Sequence, residues 1–181
     1  MDEMDRWLGA AERETGEGTI GELAGCSVRI RRSFPAPVKE VWAACTTKPR
    51  IDTWFLPVTG ELRVGGRYQL ESYAEGEITR CEAPDFLSVT MAIQGAPGEA
   101  RLRLRESSAG ETVLEFEHTM VADAALWSAI APEIGSAWEV ALRYLERHLR
   151  GEQIDKSTFP TPEDDELGNR CKKEWTAVVS G

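Results

Sequence analysis

The segment GSAWEVALRYLERHLRG, residues 135–151, decides the fold of this 181-residue chain. Its apolar residues recur every three or four positions, which predicts one long helix with an apolar stripe. The residues of the stripe are Ile134, Trp138, Ala141, Leu142, Leu145 and Leu149. The charged residues of the opposite side are Glu139, Arg143, Glu146, Arg147 and Arg150. Because burial of each large apolar side chain contributes about 1.5–3 kcal/mol, we expect the stripe to dock on another layer.

Both ends of this helix carry recognisable signals. Gly151 follows the last apolar residue, in the position that is typical of a C-terminal glycine cap. Upstream, we expect a separate short helix from Asp123 to Ala131, which ends before Pro132. The reason is that a proline inside a helix removes one backbone donor and clashes with the preceding turn.

The layer that covers the stripe is predicted by residues 59–120. Turn signals divide this region into six short strand candidates. In TVLEFEHTM, residues 112–120, the side chains of Leu114, Phe116 and His118 alternate with charged or polar ones, which is typical of an antiparallel sheet with one covered face. With an earlier strand in CSVRIRRSF, we predict an α+β fold of the helix-grip type. In this fold a curved antiparallel sheet of about seven strands wraps around the long C-terminal helix.

Two short helices are predicted after the first strand. Residues 38–45 present one apolar face at helical spacing, and residues 51–55 present another. The second helix ends in DTWFLPVTGELRVGGRY, residues 52–68. Trp54 and Phe55 stand there shortly before a glycine turn. We therefore place them at one mouth of the space between sheet and long helix, either as a lid over a ligand or as the edge of the core.

Composition restricts the class of protein. Hydrophobic residues make up 41% of the chain and charged residues 29%, which is typical of a globular domain. With 31 acidic against 21 basic residues and a formal charge of −10, nucleic acid is an unfavourable partner. The four cysteines form no C-x-x-C pair, and the acidic N-terminus does not resemble a signal peptide. We therefore expect a cytoplasmic protein with reduced thiols and no membrane span.

The ends of the chain are predicted to be appendages. We divide the chain into an N-terminal amphipathic segment and linker (residues 1–25), a central domain (26–151) and a C-terminal loop and amphipathic helix (152–181). The linker is predicted over residues 15–25, where glycine is frequent. Each terminal helix has an apolar face that it cannot bury alone. Three outcomes stay open: the helices pack on the central domain, cap its cavity, or pair two chains into a homodimer.

The order of elements resembles a known superfamily. The similar segments are RRSFPAPVKEVWAACTTKPRIDTWF, VGGRYQLES, GEITRCEAPDFLSVTM and GSAWEVALRYLERHL, which together cover about residues 26–151. They are similar to the START-like (SRPBCC) superfamily, in the branch named after the activator of heat-shock-protein-90 ATPase. The resemblance implies a cavity between sheet and long helix that holds small apolar or amphipathic molecules. It does not imply one activity, because the wider superfamily includes lipid carriers, hormone sensors, polyketide cyclases and oxygenases with iron sites.

The candidate cavity residues are those expected on the inner strand faces, at the mouth and on the stripe of the long helix. They are Trp54, Phe55, Tyr68, Leu70, Ile78, Arg80, Val89, Met91, Leu102, Leu104, Phe116, His118, Trp138 and Leu142. On GEITRCE, residues 76–82, two faces remain possible: either Ile78 and Arg80 point inward, or Glu77, Thr79 and Cys81 do. The expected partner is a small hydrophobic or amphipathic molecule, bound without an obligatory cofactor.

An enzyme of cyclase or hydrolase type is the first alternative function. His118 would serve as acid or base, Tyr68 as a hydroxyl donor, and Glu77 or Arg80 would polarise a carbonyl. A lone inward histidine is more often a hydrogen-bonded core residue, and the sequence shows no nucleophile elbow or Ser-His-Asp arrangement. A metal site is not expected, because the second histidine, His148, lies at the charged end of the long helix.

A chaperone-linked interaction module is the second alternative. The name of the resembled branch suggests such a partner. In the eukaryotic activator, however, a separate N-terminal domain accompanies this fold, and we expect residues 1–25 to be too few to form one.

Overall fold

The computed structural model describes residues 2–108 and 110–181. The described residues form five α-helices and nine strands. The helices are α1 (Glu3–Gly9), α2 (Val38–Thr46), α3 (Lys48–Trp54), α4 (Ala124–Leu149) and α5 (Pro162–Ser180). The strands are β1 (Glu12–Ile20), β2 (Leu23–Phe34), β3 (Val58–Gly60), β4 (Arg67–Leu70), β5 (Ala74–Glu82), β6 (Phe86–Thr90), β7 (Ala92–Ile93), β8 (Gly98–Ser108) and β9 (Glu111–Val121). A short 3₁₀ helix, Lys156–Thr158, precedes α5.

All the strand pairs are antiparallel, and the order across the sheet is β1-β2-β9-β8-β6-β5-β4-β3, with β7 paired to β5. The sheet packs against α4, so the predicted α+β helix-grip architecture is confirmed. Two differences raise the strand number above the prediction. β1 was not expected, and FLSVTMAI, expected as one strand, is divided into β6 and β7. Met91 stands at this division, where its backbone N–H donates to the Gly98 carbonyl at 2.9 Å.

The linker predicted over residues 15–25 is wrong. These residues lie in β1 and the start of β2, which form a hairpin that turns at Gly21 with φ of +59°. The sequence ERETGEGTI gives no apolar alternation because β1 is an edge strand with little to bury. Backbone pairing with β2 holds it instead, together with surface ion pairs such as Arg31 to Glu12 at 2.7 Å.

The separate short helix predicted before Pro132 is also wrong. The helix α4 continues through Pro132 without interruption. Trp127 and Ala131 before the proline are buried, as are Gly135 and Trp138 after it. An internal proline costs a helix about 3 kcal/mol, and apolar burial on both sides of Pro132 offsets that cost.

The two sides of α4 differ from the predicted division into an apolar side and a solvated side. Trp138, Leu142 and Leu145 are buried, as predicted for the stripe. Glu139 and Glu146, expected among the solvated charges, are buried as well, with 0% and 9% exposure. The terminal segments, which were expected to be appendages, cover this side of the helix.

Glu139 receives hydrogen bonds from both ends of the chain. Arg13 of β1 donates from Nε and Nη2 to the two carboxylate oxygens at 2.6 and 2.8 Å. Trp175 of α5 donates from Nε1 at 2.8 Å. Trp7 and Leu8 of α1 are buried with them, so both terminal helices bury their apolar faces within the chain. This packing is the first of the three predicted outcomes.

Candidate functional site

A cavity of about 180 Å³ lies between the inner face of the sheet and α4. Strands β4, β5, β6, β8 and β9 form one wall, α4 forms the other, and α2 and α3 close one end. The predicted residues that line it are Trp54, Phe55, Tyr68, Leu70, Ile78, Val89, Met91, Leu102, Phe116, Trp138 and Leu142. Apolar side chains dominate this lining, so the cavity favours an apolar occupant.

Arg80 was predicted in the cavity and lies outside it. The pairing of β5 with β6 shifts register between Ile78 and Arg80, which marks a β-bulge. The bulge leaves Ile78 pointing inward, turns Arg80 to the outer face and lets Cys81 line the cavity. The Arg80 guanidinium stacks instead on Phe86, 4.8 Å from the ring centroid. The first predicted alternative, with Ile78 inward, is therefore correct before the bulge, and the second, with Cys81 inward, is correct after it.

Leu104 also lies outside the cavity lining. Its side chain is 1% exposed and pairs across the sheet with Leu114. The strand β8 at this end packs against α2, which fills the space over it. Leu104 therefore belongs to the filled part of the core.

His118 lies behind the cavity wall. Its Nδ1 accepts a hydrogen bond from Trp138 Nε1–H at 3.0 Å, and the side chain is 0% exposed. Burial lowers the pKa of His118 to about 4, so the imidazole is neutral at pH 7. Within the described residues its Nε2 has no hydrogen-bond partner. His118 thus fixes the orientation of Trp138, which itself lines the cavity.

The mouth of the cavity is closed by aromatic rings. Phe55 stacks on Trp54 with ring centroids 5.3 Å apart and meets Trp138 at 5.7 Å. Trp54 is held by a hydrogen bond from its Nε1 to the Ala44 carbonyl at 2.9 Å. Tyr73 contacts Trp138 edge to face at 6.3 Å. Trp54 is therefore fixed by α2, and the Phe55 ring, at the end of α3, packs on Trp54 and Trp138.

The polar groups of the lining are largely occupied or inert. The Tyr68 hydroxyl donates to the Thr90 carbonyl at 2.7 Å, and burial raises the pKa of Tyr68 well above its usual value. Burial also raises the pKa of the Cys45 thiol to about 12, which keeps it protonated at neutral pH. Neither side chain has the features of an activated nucleophile.

Several residues that line the cavity were not among the predicted cavity residues. They are Cys45, Thr46, Ile51, Val58, Leu62, Cys81, Leu87, Ala100, Arg101, Leu114, Ala141 and Leu145. Leu87 and Leu114 share strand faces with predicted residues, so strict alternation along each strand could have found them. Cys81 depends on the bulge, and Leu62 lies in the β3–β4 connection, where alternation gives no signal.

A second depression adjoins the cavity at its mouth. We name it the α5 groove; it has a volume of about 860 Å³ and lies between the mouth, α4 and residues 156–172. Its aromatic residues are Trp54, Phe55, Tyr73, Trp138, Tyr144 and Phe159. The groove is larger than the cavity and open to the surface at Phe159, whose side chain is 54% exposed.

Among residues 2–108 and 110–181, no cluster of three or more His, Cys, Asp or Glu side chains could hold a metal ion. None of the helices in the described part of the chain has the length and apolar character needed to cross a membrane.

Solved structures with this architecture are known. The crystal structure of CalU16 from Micromonospora echinospora is 36% identical, with a TM-score of 0.82, and the match covers 95% of this chain and 99% of that one. Its solution structure gives 34% identity, a TM-score of 0.81 and coverage of 94% and 96%. EF2215 of Enterococcus faecalis, a conserved protein of unknown function, shares the fold at 16% identity with a TM-score of 0.66, over 97% of this chain and 95% of its own.

The family is identified by a match over most of the chain. No curated protein sequence matches the chain. The family model described as "Activator of Hsp90 ATPase homolog 1-like protein" matches residues 35–150, which run from the end of β2 to the end of α4. The structures that match with high coverage extend the likeness to the terminal segments. The chain therefore belongs to the family of proteins like the activator of Hsp90 ATPase homolog 1, within the START-like superfamily.

Proposed function

We propose that the protein binds a small hydrophobic or amphipathic molecule in the cavity between the sheet and α4. The observation that carries the proposal is an apolar space of about 180 Å³ whose mouth is closed by the rings of Trp54, Phe55 and Trp138. Apolar pockets with a few fixed polar groups are the usual form of small-molecule sites.

The size of the cavity supports an occupant. A dry void costs roughly 24 cal/mol per Å³ in core mutants, so 180 Å³ sealed from water would cost up to about 4 kcal/mol. That is a large fraction of a domain's usual stability of about 5–15 kcal/mol. An apolar guest that fills the space recovers this free energy as affinity. A cavity of about 150 Å³ lined by apolar side chains accepts benzene, so the buried part of the guest is on the order of one ring.

Binding is favoured over catalysis by the surroundings of His118. A general acid or base must reach the substrate proton, and His118 lies behind Trp138 with its Nδ1 already accepting a hydrogen bond. With a pKa of about 4, it is also poorly matched to acid-base work near pH 7. The chaperone-linked alternative is supported by the family's name alone.

The test fills the cavity with a large side chain and compares this variant with a second one that carries the same side chain on the surface. Ala100 lies on the inner face of β8 and lines the cavity, whereas Arg105 of the same strand is exposed. We expect A100W to weaken binding of the apolar dye Nile red by about tenfold or more, and R105W to leave it unchanged. Fluorescence titration gives both affinities. Native mass spectrometry of the wild type then shows whether a small molecule copurifies.

Equal affinity of the dye for the wild type, A100W and R105W would place its site outside the cavity and contradict the proposal. Loss of turnover in His118→Ala on any substrate, with dye binding intact, would favour the enzyme alternative instead.

A further inference from the structure

The cavity and the α5 groove share a wall. Trp54, Phe55, Trp138 and Ala141 line both spaces. Within this wall Phe55 and Trp138 meet ring to ring, with centroids 5.7 Å apart. The Phe55 and Trp138 side chains therefore separate the two spaces.

One wall of the groove belongs to a part of the chain that the family model does not match. That model ends at residue 150, and one wall of the groove is formed by residues 156–172. Phe159 packs edge to face on Tyr144 of α4, with ring centroids 5.7 Å apart. The Tyr144 hydroxyl donates to Asp164 of α5 at 2.8 Å, which fixes this wall to α4.

The same C-terminal segment holds the end of α3, where the mouth begins. The Lys156 ammonium donates to the backbone carbonyls of Asp52 and Phe55, the latter at 3.0 Å. This contact fixes the backbone of Phe55, whose ring packs on Trp54 and Trp138. The C-terminal segment therefore determines both the shape of the groove and the position of the mouth.

We propose that the α5 groove is the second half of the ligand site, and that the guest is one extended amphipathic molecule with a cationic polar part. Its apolar end occupies the cavity, its middle passes between Phe55 and Trp138, and its polar part lies against α5. This inference rests on the proposed binding function.

The charge of the polar part follows from the groove lining. Its acidic residues are Glu71, Glu133, Asp164 and Asp165, and its basic residues are Lys156 and Lys172. Lys172 pairs with Glu133, and Lys156 donates to two backbone carbonyls. Asp164 accepts from Tyr144 and Thr161. Among the described residues this leaves Glu71 and Asp165 as the groove carboxylates without such a partner. The excess of carboxylates beside six aromatic residues favours a cation and disfavours a carboxylate or phosphate.

The geometric half of the proposal is tested by filling the groove. Asn169 of α5 lines the groove and is exposed, while Lys173 is exposed on the same helix outside it. Nile red is too long for the cavity alone. We expect N169W to weaken the binding of Nile red by about tenfold, and K173W to leave its affinity unchanged. Toluene, which fits the cavity alone, should bind the wild type and N169W equally. Calorimetry measures the affinity for toluene, and circular dichroism confirms that both variants are folded.

The outcomes separate the two proposals. If A100W abolishes binding of both probes but N169W weakens neither, the part of Nile red that extends beyond the cavity does not lie in the α5 groove. The groove proposal is then overturned while the binding function stands. If neither probe binds the wild type, both are overturned.

The charge half is tested by competition against Nile red with decylammonium and decanoate, which have the same chain length and opposite charge. We expect decylammonium to compete about tenfold better, and the preference to shrink in a Glu71→Gln, Asp165→Asn double variant. Equal competition by the two ions, or better competition by decanoate, would overturn the cationic assignment.

Discussion

The two sides of α4 are buried in opposite ways. On the sheet side the helix faces a cavity with apolar walls, and the hydrogen bond between Trp138 and His118 is its main polar contact. On the terminal side, beyond the α5 groove, a buried carboxylate, Glu139, is bound by Arg13 and Trp175. The sheet side of α4 keeps empty volume, whereas the surroundings of Glu139 are held together by directional bonds to both ends of the chain.

The difference shows how a fold can keep a cavity and remain stable. Arg13 and Trp175 tie β1 and α5 to one residue of α4, so the position of the helix does not depend on contacts across the cavity. Arg32 adds to this side: its guanidinium lies 3.1 Å from the centroid of the Trp7 ring, and burial lowers its pKa to about 10. The sheet side is thereby free to leave space for a guest.

The largest expected effect comes from breaking the buried ion pair. Glu139→Gln removes the charge that compensates Arg13, which has 8% side-chain exposure, and an unpaired buried charge costs about 3–5 kcal/mol. Urea denaturation measures the loss in the free energy of unfolding. Glu166→Gln, at an exposed position of α5, is the control and should change stability by less than about 0.5 kcal/mol. If Glu139→Gln lowers the free energy of unfolding by less than about 1 kcal/mol, the ion pair does not anchor the helix.

The sheet side predicts a pH effect. His118 has a folded-state pKa of about 4 against an ordinary 6.5, so the unfolded chain binds its proton first as pH falls. The contribution of neutral His118 to the free energy of unfolding is therefore fully present above about pH 6.5 and is lost progressively towards pH 4. Between pH 7 and 5 the free energy of unfolding should fall by about 2 kcal/mol.

Denaturation of His118→Gln over this pH range provides the test, because glutamine does not titrate and its carbonyl can still accept from Trp138. The variant should lose most of the slope between pH 7 and 5. His148→Gln should lose a smaller part of the slope, because burial and the neighbouring Arg50 lower the pKa of this half-buried histidine as well. Identical slopes in the wild type and His118→Gln would show that His118 is not the group responsible.

The terminal side predicts a steric effect at a helical glycine. A Cβ placed on Gly135 would lie 2.3 Å from the Trp175 ring, so Gly135→Ala must displace α5. We expect a net loss of about 1–2 kcal/mol, since overpacking exceeds the gain in helix propensity. Gly168→Ala is the matched control in α5: its Cβ would meet Val140 at 3.8 Å, and the change should be neutral or stabilising. Equal stability of the two variants by thermal denaturation would contradict tight packing at Trp175.

The sheet side of the molecule was largely predictable from the sequence, and the terminal side was not. Helical periodicity found Trp138 and Leu142, and strand alternation found residues such as Val89 and Leu102, because these patterns record burial against one neighbouring layer. Arg80 was misplaced because a bulge changes the face within a strand, and pairing alone reveals it.

The burial of Glu139 could not be predicted from the sequence because it depends on a partner that is far away along the chain. Arg13 is 126 residues from it, in a strand without apolar alternation. A charge at that helical position is normally solvated, and only the packing of β1 and α5 makes it internal. Gly135 is similar, since its role becomes visible only against Trp175.

The smallest expected effect is that of Ala100→Leu, and its contrast with Ala131→Leu measures the packing difference directly. Ala100 lines the cavity and Ala131 of α4 is fully buried outside the lining. Ala100→Leu adds apolar atoms where there is space, so the free energy of unfolding should stay constant or rise by up to about 1 kcal/mol. Ala131→Leu adds the same atoms to a filled region and should lose about 1–3 kcal/mol, although leucine is a good helix former. If both variants lose stability equally in urea denaturation, the sheet side is as tightly packed as the rest of the core, and the space assigned to a guest is not available to one.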